Sequence, residues 1–314
     1  MRESRFSWGG DRQEHAAAAS RMGRAQASSA GNGDGDSAQV PPPDNGHRPD
    51  GVEAPLPGSL PFIRLMGVSI HAIGANQCLE HLFESLDAGR GGWVVTPNLD
   101  HLRRLVRDRS YAALCRGASL VVPDGMPLIW ASRLQGTELP ARVAGSDLIR
   151  QVSSAAAQRG RSVFLLGGTP GSAAGAARVL RQSCPGLQVV GTCCPPVGFE
   201  QDGLLISHMV NQLTRAKPDV IFVALGSPKQ EELITALRQQ LPRAWWIGVG
   251  ISFSFLTGDV RRAPCWMQRI GMEWVHRLAQ EPRRLARRYL IDGIPFAFVL
   301  FANALSQRLR PSRG

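Results

Sequence analysis

Short apolar runs that end at Gly, Pro, Asp or Asn recur along this chain, and their alternation with helical segments most constrains its fold. Five such runs are present, at Trp93–Val95, Ser119–Val122, Val163–Leu166, Ile221–Leu225 and Trp245–Val249. Their length and their content of β-branched residues are typical of buried strands. Strands that alternate with helices form βαβ units, in which helices cover both faces of a parallel sheet. The sequence therefore predicts an α/β fold with a mostly parallel sheet and helices on both faces.

The strand end within Val223–Ile234, VALGSPKQEELI, is the most distinctive. A buried strand stops at Gly226, a tight turn follows, and a helix begins on Lys229 and Gln230. Free backbone N–H groups and the helix dipole favour an anion or a sugar at such a turn. Because ligands of parallel sheets bind outside the carboxyl ends of the strands, we expect Lys229 and Gln230 to share one crevice with the other strand ends. An ordinary βα loop with solvated side chains explains this segment equally well.

The first 57 residues differ in composition from the rest of the chain. They contain AAAAS, SSAGNGDGDS and PPP and few large apolar side chains. Such a segment buries too little apolar surface to offset the entropy of ordering, and it lacks the apolar core of a signal peptide. The composition predicts a disordered low-complexity tail over residues 1–57, an α/β domain over 58–258 and an Arg-rich helical appendage over 259–314.

The net charge of +11 is concentrated at the C-terminal end. Residues 261–314 carry eleven Arg and three acidic residues, a net charge of +8. The Arg-dense helix Arg283–Leu290 precedes an apolar stretch, Ile294–Leu305, which is shorter than the ~18–20 consecutive apolar residues of a membrane span. This combination is typical of a protein that lies on an anionic membrane surface, although a solvated helix stays open. Nucleic acid is disfavoured, because Lys is nearly absent and no aromatic residues alternate with Arg as stacking platforms.

The cysteines carry no signature of a disulfide framework or a metal site. None of the six forms a CxxC pair, and adjacent cysteines suit a disulfide poorly. No D-x-D pair that could hold a divalent metal follows a strand either. We therefore expect reduced thiols, no metal ion and no cofactor. The cysteines are Cys78, Cys115, Cys184, Cys193, Cys194 and Cys265.

Asp124 follows the run Ser119–Val122 and is flanked by Pro123 and Gly125. This flanking holds a single carboxylate rigid and exposed in the predicted crevice, where it can act as a general base on an attacking hydroxyl. The alternative is that Asp124 caps the following helix, Met126–Leu134. The two roles are compatible, and capping alone is the more common one.

Two further strand ends carry candidate binding residues. Thr96 and Asn98 hydrogen-bond a substrate or, as the favoured reading, cap the helix predicted over Leu99–Cys115. Gly167 and Gly168 open a Gly-rich turn that lets a ligand approach the backbone closely. This turn has no Walker lysine and is not G-x-G-x-x-G, so it is a weak phosphate-binding motif.

Four arginines in the C-terminal segment recur at helical spacing. On a helix, Arg284 and Arg288 share one face, and Arg283 and Arg287 share another. Paired guanidinium groups bind a diphosphate in bidentate geometry. A charged, solvated helix surface accounts for the same pattern, so this segment alone does not assign a function.

Seven segments, taken in order, resemble the WecG/TagA/CpsF family, which is glycosyltransferase family 26. They are TPNLDHL, VVPDGMPL, ARVAGSDL, VFLLGGTPG, VALGSPKQE, IGVGISFSFLTGDVRRAP and MEWVHRLAQEPRRLARRYL. The resemblance covers about Leu65–Leu290, and the PDG, GSPKQE and RAP…EW…R…EP.R motifs together are highly specific. The chain departs from the family at Pro195–Phe199, where relatives often have a Gly-Tyr-Phe type segment, and in its long N-terminal tail.

The resemblance implies an inverting, metal-independent hexosyltransferase with a Rossmann-like catalytic domain that binds a nucleotide sugar. The implied donor is a UDP-sugar, and the implied acceptor is a saccharide on a polyprenyl (undecaprenyl) diphosphate. The appendage would dock on the cytoplasmic face of the bacterial inner membrane and complete the active site, so the protein would be peripheral. The pathway would be exopolysaccharide or other cell-surface polysaccharide biosynthesis. The sequence leaves open whether N-acetylmannosamine, its uronic acid or glucose is moved, and whether a homo-oligomer forms.

The matching motifs also imply roles for individual residues. Asp124 corresponds to the proposed general base, and Thr96, Asn98 and Gln230 correspond to residues that line the pocket. Arg142 is the arginine before the G-S-D segment. Arginines of the family's appendage contact the diphosphate, and the candidates here are Arg283, Arg284, Arg287 and Arg288.

Two other function classes stay open at this point. A hydrolase or epimerase of nucleotide sugars would use the same fold, and it would act on a UDP-sugar without a lipid acceptor. A membrane-associated scaffold of a polysaccharide assembly complex would need no active site. Asp124, Gln230 and the Gly-rich strand ends argue against the scaffold, and a failure to bind UDP would favour it.

Overall fold

The computed structural model describes residues 60–309, so the tail predicted over residues 1–57 lies outside the described part. Strands β3 to β8 form one sheet in the order β4-β3-β8-β7-β5-β6, and all its neighbouring strands run parallel. Strands β1 and β2 pair as an antiparallel hairpin. The strands are β1 Phe62–Leu65, β2 Val68–His71, β3 Gly92–Val95, β4 Leu120–Val121, β5 Ser162–Gly167, β6 Gln188–Cys193, β7 Val220–Ala224 and β8 Trp245–Gly248.

Helices connect these strands and continue after the last of them. The helices before β8 are α1 Ala75–Asp87, α2 Leu99–Arg107, α3 Arg109–Cys115, α4 Met126–Gln135, α5 Gly145–Gln158, α6 Ser172–Ser183, α7 Gly203–Ala216 and α8 Lys229–Leu237. After β8 come α9 Ser252–Thr257, α10 Cys265–Arg269, α11 Glu273–Gln280, α12 Pro282–Ala286, a π-helical segment Arg287–Gly293 and α13 Ile294–Leu309.

The central strands are buried on both faces. Val220 and Phe222 of β7 belong to a core cluster that includes residues of α1, α5 and α6. Ile221 and Val223 belong to a second cluster with residues of α3, α7 and α8. Because successive side chains of a strand point to opposite faces, this alternation places helices on both sides of the sheet. The predicted α/β fold, with a mostly parallel sheet and helices on both faces, is confirmed.

A third core cluster joins the C-terminal helix to the rest of the chain. Phe296, Leu300 and Ala304 of α13 are buried in one cluster with Leu128 of α4 and Leu65 of the hairpin. The three α13 residues are four positions apart and therefore form one stripe on the helix. The Arg-rich segment is thus held to the α/β fold through an apolar core, within one compact unit.

The helix predicted over Leu99–Cys115 is broken at Asp108. The Asp108 carboxylate accepts hydrogen bonds from the N–H groups of Ser110 and Tyr111 and so caps the N-terminus of α3. An N-cap residue has extended backbone dihedrals, which interrupt the preceding helix. The uniform helical pattern of the sequence conceals this break.

The helices at the C-terminal end join into one continuous helix, Pro282–Leu309, of 28 residues. An 18-residue window in it has a mean hydropathy of 1.5, and by length and composition the helix could cross a membrane. Arg and Asp residues interrupt its apolar positions, so a count of consecutive apolar residues does not find it. Only 22% of that window is buried inside the protein.

Candidate active site

A cavity of about 420 Å³ opens at the carboxyl ends of β4, β3, β8 and β7. Thr96 follows β3, Asp124 follows β4, Ser227 follows β7 and Gly250 follows β8, and all four line the cavity. The strand ends therefore converge on one site. The helices after β8 form the opposite wall, with Glu273, Trp274, Arg277, Arg284, Arg288 and Tyr289 among the lining residues.

The main chain around Asp124 is held on both sides. The N–H of Asp124 donates to the carbonyl of Pro97 at 2.8 Å, and the carbonyl of Pro123 accepts from the N–H of Val143 at 2.7 Å. Gly125 has a φ of 133°, which favours glycine, and turns the chain into α4. No side chain among the described residues caps α4. Asp124 is therefore not the cap of that helix, and its carboxyl faces the cavity instead.

Burial raises the pKa of the Asp124 carboxyl to about 7. The Arg142 guanidinium and the N–H of Gly145 act in the opposite direction, while the carboxylates of Glu273 and Asp147 add to the rise. A carboxyl that titrates near neutral pH can accept a proton during a reaction and release it afterwards. This is the property that a general base requires.

We expect Asp124→Asn to raise Tm relative to wild type at pH 8 and to leave it nearly unchanged at pH 4. The folded-state pKa lies above the usual value of 3.8, so the wild type loses stability as the pH rises from about 4 to about 7. The neutral Asn side chain escapes this loss. Calorimetric unfolding between pH 4 and pH 9 measures the effect. A Tm difference that is the same at every pH would contradict the raised pKa.

Arg142 connects the cavity wall to the C-terminal helices. Its guanidinium donates to Glu273 at 2.9 Å and to Asp147 and Gln268 at 3.3 Å each. Arg262 pairs with the same two carboxylates, at 3.0 Å from Asp147 and 3.7 Å from Glu273. The two arginines and two carboxylates thus hold the start of α11 over the cavity.

Thr96 and Asn98 lie together at the end of β3 and line the cavity. Asn98 Oδ1 accepts hydrogen bonds from the N–H groups of Asp100 and His101 at 3.0 and 3.1 Å, so Asn98 caps α2 as predicted. Thr96 is buried beneath the start of α5. A Cβ at Gly145 would lie 3.3 Å from Thr96 Oγ1, so the glycine lets α5 approach the strand end closely.

Gln230 is buried at the start of α8, and both ends of its amide are engaged. Its Oε1 accepts from the N–H of Gly250 at 3.2 Å, and its Nε2 donates to Glu231 at 2.9 Å. A Cβ at Gly248 would lie 2.8 Å from Nε2, so any larger residue there would displace the Gln230 amide from this position. Gln230 therefore lines the cavity in one fixed orientation.

Three predicted binding residues lie outside the lining of this cavity. Lys229 is 52% exposed and pairs with Glu200. Gly167 and Gly168 have φ values of 97° and 85° at the end of β5. A Cβ at Gly167 would lie 2.8 Å from the carbonyl oxygen of Ala224, so this glycine permits close packing against the end of β7. Gly167 therefore serves the packing of the sheet, and Lys229 is engaged in an ion pair at the surface.

The four predicted arginines divide into two pairs. Arg284 and Arg288 line the cavity, whereas Arg283 and Arg287 do not. Arg284 is 58% exposed and pairs with Glu281, and Arg283 and Arg287 are exposed as well. The Nε of Arg288 lies 3.1 Å from Oδ2 of the buried Asp100. Burial opposes ionisation of Asp100, but the neighbouring guanidinium groups, that of Arg288 above all, hold its pKa below the usual range. Asp100 is therefore an anionic anchor that positions Arg288.

His101, Trp274 and Arg277 also line the cavity, and none of the three was predicted as a site residue from the sequence. His101 Nδ1 lies 3.4 Å from the carbonyl oxygen of Thr96 and can only donate to it. Burial, and then the charge of Arg288, lowers the pKa of His101 to about 4, so the ring is neutral at pH 7. These residues belong to the TPNLDHL and EW…R motifs, but a single sequence does not show which positions of a motif face the cavity.

The chain is similar to known proteins over most of its described length. Residues 63–310 match the family model described as "Glycosyl transferase WecG/TagA/CpsF family". A protein of Bacillus subtilis (strain 168), named N-acetylglucosaminyldiphosphoundecaprenol N-acetyl-beta-D-mannosaminyltransferase, is 33% identical over 202 residues, which are 64% of this chain and 77% of that protein. The protein of the same name from Bacillus spizizenii (strain ATCC 23059 / NRRL B-14472 / W23) is 31% identical over 202 residues, which are 64% of this chain and 76% of that protein.

Of these matches, the family model covers both the strand ends and the C-terminal helices that together form the cavity. The matches confirm the resemblance seen in the motifs: the chain belongs to the WecG/TagA/CpsF family of glycosyltransferases.

Proposed function

We propose that this chain is an inverting glycosyltransferase that moves a sugar from a UDP-sugar to a saccharide carried on a polyprenyl diphosphate. Its family supports sugar transfer, and the names of both Bacillus relatives support an acceptor built on diphosphoundecaprenol. The observation that carries the proposal is that the Asp124 carboxyl lines the same cavity as Arg284 and Arg288. A base and a pair of cations suit the attack of a hydroxyl and the departure of a diphosphate.

In the proposed reaction, the Asp124 carboxylate removes the proton of an acceptor hydroxyl as its oxygen attacks the anomeric carbon of the donor. The attack comes from the face opposite UDP, so the bond from the anomeric carbon to the diphosphate oxygen breaks with inversion. UDP leaves with the electron pair of that bond. Arg284 and Arg288 offset the charge on the leaving diphosphate, in place of a divalent metal ion. Asp124 then releases its proton to solvent.

The proposal gives the other lining residues binding and positioning roles. Thr96, Asn98 and Gln230 contact the substrates, because all three line the cavity. Hydrogen bonds to the protein hold the side chains of Asn98 and Gln230 in place. Arg142 is engaged by two carboxylates, so its role is to hold α11 and to limit the rise of the Asp124 pKa. Lys229, Gly167 and Gly168 lie outside the cavity lining, so the proposal gives them no direct contact with a substrate in this cavity.

The test is a transfer assay on the purified chain with UDP-N-acetylmannosamine and N-acetylglucosaminyl diphosphoundecaprenol. We expect transfer that persists in excess chelator, and little UDP release without the acceptor. Equal UDP release with and without the acceptor would instead identify a hydrolase. Failure to bind UDP in calorimetry would favour a scaffold. UDP-glucose and the UDP-linked mannosaminuronic acid, tested in parallel, identify the sugar that is moved in polysaccharide biosynthesis.

We also propose that the chain acts as a peripheral protein at the cytoplasmic face of the plasma membrane. Helix α13 packs on the α/β fold through one stripe and exposes Phe298, Leu305 and Leu309 on another, at 72%, 45% and 73%. Arg283 and Arg287 are exposed at the start of the same continuous helix. Exposed apolar residues beside exposed arginines suit an interface with anionic lipids. Because one stripe of α13 is buried in the protein core, we propose that this helix lies on the membrane surface and does not cross the membrane.

Replacing Phe298, Leu305 and Leu309 together by Ser is expected to reduce partition onto anionic phosphatidylglycerol vesicles by about 100-fold. Each apolar side chain that enters the interface contributes on the order of 1 kcal/mol, and the three contributions add. Sedimentation with vesicles measures the partition. The matched control replaces Val190, Val197 and Leu204, which are also exposed, by Ser and should bind as wild type does. An equal loss in both variants would contradict a membrane face on α13.

A further inference from the structure

One wall of the cavity is apolar, and two helices that pack on each other form it. Its lining residues are Met126, Pro127 and Trp130 from α4 and Ile294, Ala297 and Phe301 from α13. No charged side chain is among these six. Asp124, Arg277, Arg284 and Arg288 line other parts of the same cavity. The cavity therefore has an ionic part and an apolar part.

The apolar wall continues onto the outer surface of α13. At about 3.6 residues per turn, Ile294, Ala297 and Phe301 lie on one stripe of this helix. The stripe with Phe296, Leu300 and Ala304 borders it on the buried side. The stripe with the exposed Phe298, Leu305 and Leu309 borders it on the other side. An apolar path thus leads from the interior of the cavity to the exposed apolar face of the protein.

Trp130 and the turn before α11 fix the position of this wall. Gly271, between α10 and α11, has a φ of 70°. A Cβ at Gly271 would lie 2.6 Å from the Trp130 ring and 2.8 Å from Met126 Cβ. The turn therefore rests directly against α4, and only glycine permits this approach. The same turn leads into α11, the helix that carries Glu273 and Arg277 at the cavity. The position of these charged residues is therefore fixed relative to the apolar wall.

We propose that the apolar wall between α4 and α13 is a binding subsite for the first isoprene units of the acceptor's prenyl chain. This inference rests on the proposed function, because it assigns the lipid part of the acceptor to a place in the cavity. The occupant follows from charge complementarity: a prenyl diphosphate is an anion joined to an apolar chain, and the cavity joins arginines to an apolar wall. A nucleotide sugar carries no extended apolar chain that could cover this wall.

If this subsite exists, the affinity for a prenyl diphosphate depends on the length of its prenyl chain even when no membrane is present. The proximal units lie against Ala297 and Trp130, and the distal units leave along the exposed stripe of α13 toward the lipid. Each additional isoprene unit that reaches the wall buries apolar carbon atoms, which corresponds to about tenfold in affinity. The head group is held by Arg277 irrespective of the length of the chain, because Arg284 and Arg288 are occupied by the diphosphate of UDP. Chain length and head group are therefore separable in a binding experiment.

The experiment measures the affinity of the full chain for inorganic diphosphate, geranyl diphosphate and farnesyl diphosphate by calorimetry, with UDP in excess to occupy the donor site. We expect farnesyl diphosphate to bind about tenfold more tightly than geranyl diphosphate, with a more negative heat-capacity change. Ala297→Trp, which fills the wall, is expected to remove this increment and to leave the affinity for inorganic diphosphate unchanged. Ile294→Asn, at a position that is 40% exposed and thus tolerant, should reduce the increment.

The matched control is Ser306→Trp, which places the same side chain at an exposed position of α13 outside both the cavity lining and the stripe of Phe298, Leu305 and Leu309. It should keep the wild-type dependence on chain length. The subsite is overturned if wild type binds the two prenyl diphosphates equally, or if Ser306→Trp and Ala297→Trp lose the increment to the same extent. The transfer assay separates the two proposals: transfer without a chain-length dependence removes the subsite alone, and a chain-length dependence without transfer removes the function alone.

Discussion

Replacing Asp124 by Asn is expected to lower the turnover number for sugar transfer by about 10²–10⁴-fold, the usual contribution of a positioned general base. Asn fills the same volume at the junction of β4 and α4 but cannot take a proton from the acceptor hydroxyl. The affinity for UDP should stay within about twofold of wild type, because Asn leaves the arginines of the cavity in place. Steady-state kinetics and UDP calorimetry on the same preparation measure the two quantities.

The control for this substitution is Asp108→Asn. Asp108 is also an aspartate at a helix start, but it caps α3, and Asn caps a helix equally well. Its turnover should match wild type. Wild-type turnover in Asp124→Asn would remove Asp124 from the role of base. The kcat/KM of wild type should also fall as the pH drops below about 7, because the protonated carboxyl cannot act as a base.

The double substitution Arg284→Ala and Arg288→Ala is expected to lower turnover by about 10²–10³-fold, since removal of one preorganised charge-stabilising group has an effect of that order. Both side chains line the cavity, and Arg288 is oriented by the buried Asp100. Without them, the leaving diphosphate has less positive charge to stabilise it. Turnover in detergent solution, without vesicles, is the measurement, so that membrane attachment does not contribute.

The matched control is Arg283→Ala with Arg287→Ala. It removes the same charge from the same helical segment, but both side chains are exposed and neither lines the cavity. It should keep wild-type turnover in detergent and lose affinity only for anionic vesicles, an effect that salt also produces. Equal losses of turnover in the two double variants would contradict this prediction. They would show that the arginines act through the net charge of the segment and not through contacts in the cavity.

Much of the fold was predictable because its signals are local. The buried strands of the sheet appear in the sequence as short apolar runs, and the turn glycines and prolines mark their ends. The edge strand Gln188–Cys193 and the hairpin Phe62–His71 were not predicted, because their burial is partial and their apolar runs are weak. The break at Asp108 was missed for a related reason: an aspartate within an amphipathic pattern becomes an N-cap only when the second helix packs in another direction.

The site residues that lie at strand ends could be predicted from the sequence, because the strands themselves could be predicted. Thr96, Asn98, Asp124 and Gln230 lie where parallel strands end, and the geometry of a parallel sheet brings those ends together. Lys229 shows the limit of this argument. It is next to Gln230 in the sequence, but adjacent residues of a helix point about 100° apart, so Gln230 turns into the cavity and Lys229 turns out toward Glu200.

The sequence by itself determined the family, the parallel sheet and the residues at the strand ends, because each of these is written in short segments whose local geometry is fixed. Only the tertiary structure decided which arginines reach the cavity and that α4 and α13 form its apolar wall. Those outcomes depend on how far the C-terminal helix is rotated about its own axis. The π-helical segment Arg287–Gly293 precedes that helix, and the burial of Phe296, Leu300 and Ala304 fixes its rotation. This burial arises from contacts with segments far away in the chain, so no local sequence signal specifies it.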